Sequence, residues 1–268
     1  MEPHYLTLRA SILQAAELGG PSDQIQQPGD APGPRPRQWH SGNPQIDAAT
    51  DGGMYGLTVL GGKPKLGKSK LALSAAVEAS RWGRREDHWR VIYVNAELPQ
   101  YEISNRCMAY CCGPPGEFVT RNLMFLNVLR ATEPRELAAR LATFVGPTDL
   151  RVLVVFDSIN RLVAMSGRDY FTALHEWSEF CRMLPLLNQE IAVLAVSEMN
   201  QKGGLKGENL SYAASLVVTM DRVEGESDVV RIAIPYARSS RAYTPLGDFY
   251  RNYNAGTFDA PDEPKEEL

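Results

Sequence analysis

No apolar run in the 268 residues reaches the roughly 18–20 needed to cross a bilayer, so a membrane-spanning helix is excluded. The opening stretch, MEPHYLTLRASILQAAELGG, also lacks the charged head, apolar middle and small-residue cleavage site of a secretion signal. A cytoplasmic protein is expected. An excess of basic charge is missing too: 28 basic residues face 32 acidic ones, for a net charge of -4. No global basic field draws the monomer to nucleic acid or to a membrane surface, so any nucleic-acid contact must come from a local loop or an assembled ring. Cysteine is scarce, at four residues. Cys107, Cys111 and Cys112 fall within NRCMAYCCGPP, without the C-x-x-C pairs or nearby histidines of a zinc site. Buried helix cysteines are expected there, and no zinc.

What is present is an ordinary globular composition, 44% hydrophobic and 22% charged, with length enough for one large core. Residues 1–18 hold a short amphipathic helix pattern, with Leu6, Leu8, Ile12, Leu13 and Ala16 on one side. Residues 19–42 carry five prolines and five glycines without periodicity and read as a linker. A helix so short and so tethered cannot bury its apolar face alone. It docks on its own domain or on a neighbouring subunit, and the neighbour is the expectation.

From residue 43 to 256 the chain reads as one domain. Apolar strands at 56–60, 91–97, 123–129, 151–158 and 191–198 alternate with helical patterns at 68–82, 100–112, 133–145 and about 168–187. Continuous apolar strands separated by helices predict an α/β fold, a mostly parallel sheet covered on both faces. After residue 210, strands joined by short polar turns predict a C-terminal β-meander. Residues 257–268, acidic and proline-containing, are expected to be a disordered tail.

The most specific motif is GKPKLGKS, Gly62-Lys63-Pro64-Lys65-Leu66-Gly67-Lys68-Ser69, set between a buried strand and a helix. Gly62 and Gly67 let the backbone curl so that successive N–H groups point at phosphate oxygens. Lys68 reaches the terminal phosphates, and Ser69 offers a hydroxyl to Mg²⁺. The helix opening there adds its positive end. These residues read as a P-loop, and the expected ligand is a nucleoside triphosphate with Mg²⁺. Lys63 and Lys65 read as solvated extra charge. Two carboxylates at strand ends complete the chemistry. Asp157, closing RVLVVFDS, suits a Walker B aspartate that holds Mg²⁺ through water. Glu97, closing VIYVNAE, lies at the C-terminal sheet edge where α/β sheets bind ligands, placed to polarise the attacking water.

A glutamate ending the strand after the P-loop, Asp157-Ser158 ending the Walker B strand, and a C-terminal meander resemble the RecA-like P-loop ATPases. The similarity is nearest to the DnaB- and RepA-type hexameric helicases and to the RadA/KaiC group, and covers roughly residues 40–255. The resemblance implies a sensor at the end of the 191–198 strand. Glu198 stands where the helicases tend to have glutamine, so Asn200 or Gln201 is the alternative sensor. It also implies that MNQKGGLKGEN, residues 199–209, lines a channel or groove for single-stranded DNA, with Lys202 and Lys206 following its backbone. A solvated surface loop is the equal alternative. Arg161 and Arg168, in the loop after Walker B, are weaker DNA-binding candidates. Neither loop has the aromatic interleaving of a stacking platform.

IPYARSSRAYTP holds Arg238 and Arg241 where the family carries a basic pair, commonly Lys-x-Arg, that reaches a neighbouring subunit's ATP. The spacing departs from that pattern, so which arginine serves is open. A finger acting in trans requires a homo-oligomer, and the resemblance implies a hexamer. The function expected from all this is an ATP hydrolase and motor on single-stranded DNA, a small hexameric replicative helicase of phage or plasmid type, working with loader or replisome proteins. Two alternatives share the motifs. One is a RadA-like recombinase or mediator using ATP as an assembly switch, the other a KaiC-like regulatory or packaging ATPase.

Overall fold

The strand Val152–Asp157 shows how the sheet is built. All six residues are buried, yet they divide strictly by parity. Val152, Val154 and Phe156 belong to one apolar cluster, Leu153 and Val155 to the other. A strand alternates its side chains between faces, so a continuous apolar run is one that is covered on both sides.

The computed structural model describes residues 4–17, 37–81, 89–110, 122–146, 149, 151–199, 208–226, 228–237, 244–251 and 258–259. In chain order the elements are α1 (His4–Glu17), β1 (Gln38–Trp39), α2 (Pro44–Ala49), β2 (Met54–Tyr55), β3 (Leu57–Gly62), α3 (Lys68–Arg81), β4 (Arg90–Asn95), α4 (Gln100–Tyr110), β5 (Leu123–Asn127) and α5 (Pro134–Phe144). They continue with β6 (Val152–Asp157), α6 (Ile159–Met165), α7 (Tyr170–Leu187), β7 (Ile191–Glu198), α8 (Glu208–Ala213), β8 (Leu216–Arg222), β9 (Val229–Ala237), β10 (Thr244–Arg251) and β11 (Phe258–Asp259). Nine strands form one sheet in the order β11-β10-β9-β8-β3-β7-β6-β4-β5. From β8 to β5 the pairs are parallel, and β9, β10 and β11 extend the sheet antiparallel. This is the RecA-like α/β architecture with its C-terminal meander, as expected.

One cluster, holding α3, covers one face of the sheet, and the other, holding α1, α5, α6 and α7, covers the opposite face. Parity then decides the site. Val91 and Tyr93 of β4 lie in the α3 cluster, as do Leu153 and Val155 of β6. Asp157 continues the second series, so its carboxylate is directed toward α3 and the P-loop.

Several expectations are corrected. α1 packs within its own chain, against α5 and α7, with Leu8 and Ile12 at 0% and Ala15 at 1% exposure. Its buried stripe is i, i+4, i+7, and Leu13, placed on that stripe from the sequence, is 43% exposed. Burying Leu8 and Ile12 stabilises the fold by about 2 kcal/mol each, reason enough to dock in cis. The linker ends before residue 42: Gln38–Trp39 pair with Met54–Tyr55, and Trp39 is buried. At the far end, Phe258 and Asp259 pair with Arg251 and Tyr250, within the stretch expected to be tail. The helix expected over 168–187 starts at Tyr170, capped by Asp169 through Thr172 N–H at 2.9 Å, and a separate helix, α6, precedes it.

Candidate functional site

Gly62 closes β3 where the P-loop begins. A Cβ on it would meet the Met220 carbonyl oxygen of β8 at 2.8 Å, so only glycine lets the two backbones pass. Gly67 has φ +93°, a left-handed turn into α3. Leu66, fully buried, pins the loop to the α3 core. Lys68 curls back over the loop and donates from Nζ to the Lys63 carbonyl at 2.8 Å. Lys63 itself faces Asp221 of β8 at 3.6 Å, both partners half-exposed, which fits a solvated charge.

The Ser69 hydroxyl donates to Asp157 Oδ1 at 3.0 Å, so the last residue of the glycine- and lysine-rich loop and the aspartate that ends β6 are brought together. Asp157 is fully buried, and its pKa is pushed up to about 6. Burial is the main cause. Hydrogen bonds from Tyr93 and Ser69 pull it back down, the Glu97 charge raises it further, and the Arg106 charge lowers it. Tyr93 Oη donates to Asp157 Oδ2 at 2.6 Å. Side-chain oxygens of a serine and a buried carboxylate, held together beside a phosphate cradle, are the hard donor set that Mg²⁺ prefers. A cation there favours the ionised aspartate that burial opposes. The residues fit the metal.

Glu97 is exposed, and Ser158 Oγ donates to its Oε1. Its backbone turn is shaped by Asn95, the buried end of β4. Asn95 Oδ1 accepts the N–H groups of Leu98 at 3.0 Å and Glu97 at 3.3 Å, and its Nδ2 donates to the Leu98 carbonyl at 2.6 Å. That Asx turn sets Glu97 over the P-loop. Ser158 also caps α6, accepting the Arg161 N–H at 3.4 Å, and its peptide bond with Asp157 is cis. Glu97 and Ser158 line a cleft of about 460 Å³ together with Lys65, Lys68, Ser69, Lys70 and Arg106. Four cations there meet two carboxylates, Glu97 and Glu198, a balance suited to a polyanion. Pro64, Gly67, Leu98, Ser158 and Val196 complete the lining.

Glu198 is thus in the cleft, at the end of β7. Arg168 is not: its guanidinium grips Glu176 with two bonds, at 2.7 and 2.8 Å. Arg161 is exposed on the first turn of α6. Asn200, Gln201, Lys202, Lys206, Arg238 and Arg241 lie outside the described residues, as do Cys111 and Cys112. Of the described cysteines, Cys107 is half-buried, and Cys181 is buried, its thiol pushed well up by burial. No group of metal-ligating histidines, cysteines or carboxylates occurs among the described residues.

Tyr93, Asn95, Arg106 and Asn160 were not singled out from the sequence, and Ser158 entered only as the residue after Asp157, without a role. A tyrosine among aliphatic strand residues, at the same parity as Val91, was the one available signal, because a buried phenol needs a partner.

A family model described as AAA domain matches residues 44–196. No curated protein sequence matches the chain. Among solved structures, a KaiC-like protein from the hyperthermophilic archaeon Pyrococcus horikoshii OT3 superposes with a TM-score of 0.65 at 14% identity, over 84% of this chain and 99% of that one. A DnaB-like replicative helicase, described together with its interactions with primase, superposes at 0.60 and 14% identity, over 76% of this chain and 57% of that one. A third structure, described as an ATPase domain, superposes at 0.63 and 15% identity, over 83% of this chain and 90% of that one.

Proposed function

Starting from a chain that belongs to the AAA-domain family and has the RecA-like P-loop ATPase fold, we propose that it hydrolyses ATP and is a motor on single-stranded DNA. The observation that carries the hydrolase reading is the convergence on one P-loop cleft of Ser69, with Asp157 bonded behind it, and the Ser158-held Glu97. P-loop N–H groups and Lys68 hold the phosphates. Ser69 and Asp157 would hold Mg²⁺, which would supply charge neutralisation of the phosphates when bound. Glu97 receives a proton from water as that water attacks the γ-phosphorus, and the bond to the bridging oxygen of ADP breaks. Ser158 fixes one oxygen of Glu97 so that the carboxylate keeps its aim through the step.

The motor reading rests on the fold shared with the DnaB-like helicase and on the glycine- and lysine-rich 199–209 segment that follows Glu198 in the sequence. In this reading Lys202 and Lys206 follow the DNA backbone, and Arg238 or Arg241 completes a neighbour's site in a hexamer that works with replisome proteins. A second reading, a KaiC-like regulatory ATPase, is favoured by Arg168, whose fork is committed to Glu176 instead of a phosphate. Steady-state ATPase with and without single-stranded DNA, with Lys68→Ala as the blank, separates them. Stimulation of about tenfold or more supports the motor, and a flat response from a turning-over enzyme supports the regulator. An assembly-switch mediator would bind DNA and never unwind it.

A further inference from the structure

β7 lies between the P-loop strand and the Walker B strand, and its last residues are held differently on its two sides. Toward β3 the ladder runs to the end: Gly61 pairs with Ser197 and Gly62 with Glu198, and Met199 N–H donates to the Gly62 carbonyl at 3.1 Å. Toward β6 the ladder stops earlier, at Phe156 opposite Ala195. Beyond that point β6 turns into α6 and offers no backbone acceptor to the end of β7. A side chain takes its place. Asn160, in the first turn of α6, accepts the Glu198 N–H at 2.7 Å and the buried Ser197 hydroxyl at 3.1 Å, both on Oδ1. Its Nδ2 donates to Tyr170 Oη at the start of α7, at 3.1 Å.

We infer that Asn160 is a positioning residue for hydrolysis: its one carboxamide locks the β7 end, which carries Glu198 into the cleft, to the turn of α6 that carries Ser158 beneath Glu97. The inference rests on the hydrolase reading above. A backbone hydrogen bond in that place would be fixed by the sheet. A side-chain bond belongs instead to α6, so it keeps the distance between Glu198 and the Ser158–Glu97 pair constant across a gap in the ladder. The other contacts of the P-loop, Lys68 and Ser69 do not pass through Asn160. Its loss therefore acts on turnover and spares nucleotide affinity.

The test compares wild type, Asn160→Ala and Asn160→Asp in the full-length chain. Readouts are kcat and KM for Mg-ATP, affinity for fluorescent MANT-ADP, and amide exchange at Glu198 without nucleotide. Asn160→Ala is expected to lower kcat about tenfold and speed Glu198 exchange by a similar factor, with MANT-ADP affinity within about threefold of wild type. Asn160→Asp keeps an oxygen for both donors, and Tyr170 can reverse its hydroxyl, so kcat is expected to return to within about threefold of wild type. Asn160→Ala turnover within about twofold of wild type overturns the inference, as does nucleotide affinity falling in step with kcat. Unchanged Glu198 exchange, or an Asn160→Asp variant without recovery, overturns it too. If Asn160→Ala fails to fold, Asn160→Ser, whose side chain lacks the carboxamide that accepts the Glu198 N–H, takes its place with the same expected and overturning outcomes. Wild type that binds MANT-ADP without turning over ATP overturns the hydrolase reading and this inference with it. Wild-type turnover with unaffected variants overturns the inference alone.

Discussion

Tyr93 and Asp157 stand on adjacent parallel strands, and the phenol hydroxyl donates to Asp157 Oδ2 at 2.6 Å. Tyr93 pairs with Val155 in register, so its hydroxyl reaches two residues along β6 on the same face. The bond lowers the pKa of a carboxyl that burial raises. Tyr93→Phe removes it, so the Asp157 pKa rises further and the acid limb of the rate profile moves to higher pH. The expected loss in kcat/KM is about threefold to tenfold at pH 6.5, shrinking toward pH 8.5. A Tyr93→Phe profile that superposes on wild type across that range would sink the claim.

The pH dependence of stability follows from the same carboxyl. In the fold its pKa stands at about 6, above the ordinary 3.8, so the folded state holds the proton more tightly. This contribution is fully present below about pH 4 and is lost as pH rises through about 6, a change of about 3 kcal/mol. Asp157→Asn lacks it. In metal-free and nucleotide-free buffer, wild type is expected to lose stability relative to Asp157→Asn between about pH 4 and pH 7. Urea unfolding of both proteins at the two ends of that window provides the measurement. Parallel pH slopes would contradict the assignment.

Glu97 and Ser158 are expected to separate by magnitude. Glu97→Gln keeps the shape and removes the base, with kcat lower by about 100-fold or more and MANT-ADP affinity unchanged. Ser158→Ala leaves the carboxylate but frees its aim, for a loss of about tenfold in kcat. It also removes the α6 cap, at about 1 kcal/mol in stability. Single-turnover kinetics and a denaturation curve read the two effects apart. Equal losses in the two variants would mean that Ser158 does more than orient.

α1 supplies a test that needs no nucleotide. Ile12 is fully buried against the chain's own core, so Ile12→Ala is expected to cost about 2–4 kcal/mol. Because the contact lies within one chain, the loss should not depend on protein concentration. A loss that vanishes on dilution would return α1 to a neighbouring subunit.

The strands, their order of appearance and the P-loop were readable because buried runs and glycine spacing are local signals. Asp157 was readable as a carboxylate at a strand end, whereas Glu97, expected to close its strand, lies two residues beyond Asn95 in the turn that follows β4. Tyr93 was not, because alternation tells which face a residue occupies but not which strand lies next to it. Asn160 was hidden for a different reason. Its helix α6 is only seven residues long and opens within the mostly polar run Asp157-Ser158-Ile159-Asn160-Arg161, so the stretch read as a loop after the strand. Leu13 and Ala15 show the limit of helical spacing: both sit near the apolar arc of α1, and only the packing of α5 and α7 decides that Ala15 turns in and Leu13 out.

β3 is the fifth of nine strands, and it pairs with β7 on one side and β8 on the other. Those neighbours come more than a hundred residues later in the chain. A nascent polypeptide thus carries its complete phosphate-binding sequence once residue 69 has been made, long before residues 191–222 exist to close the sheet around it. Nucleotide affinity is in that sense a property of the finished chain. Bound nucleotide stabilises the central sheet as a whole by mass action, and a stalled or truncated product has the motif without the site.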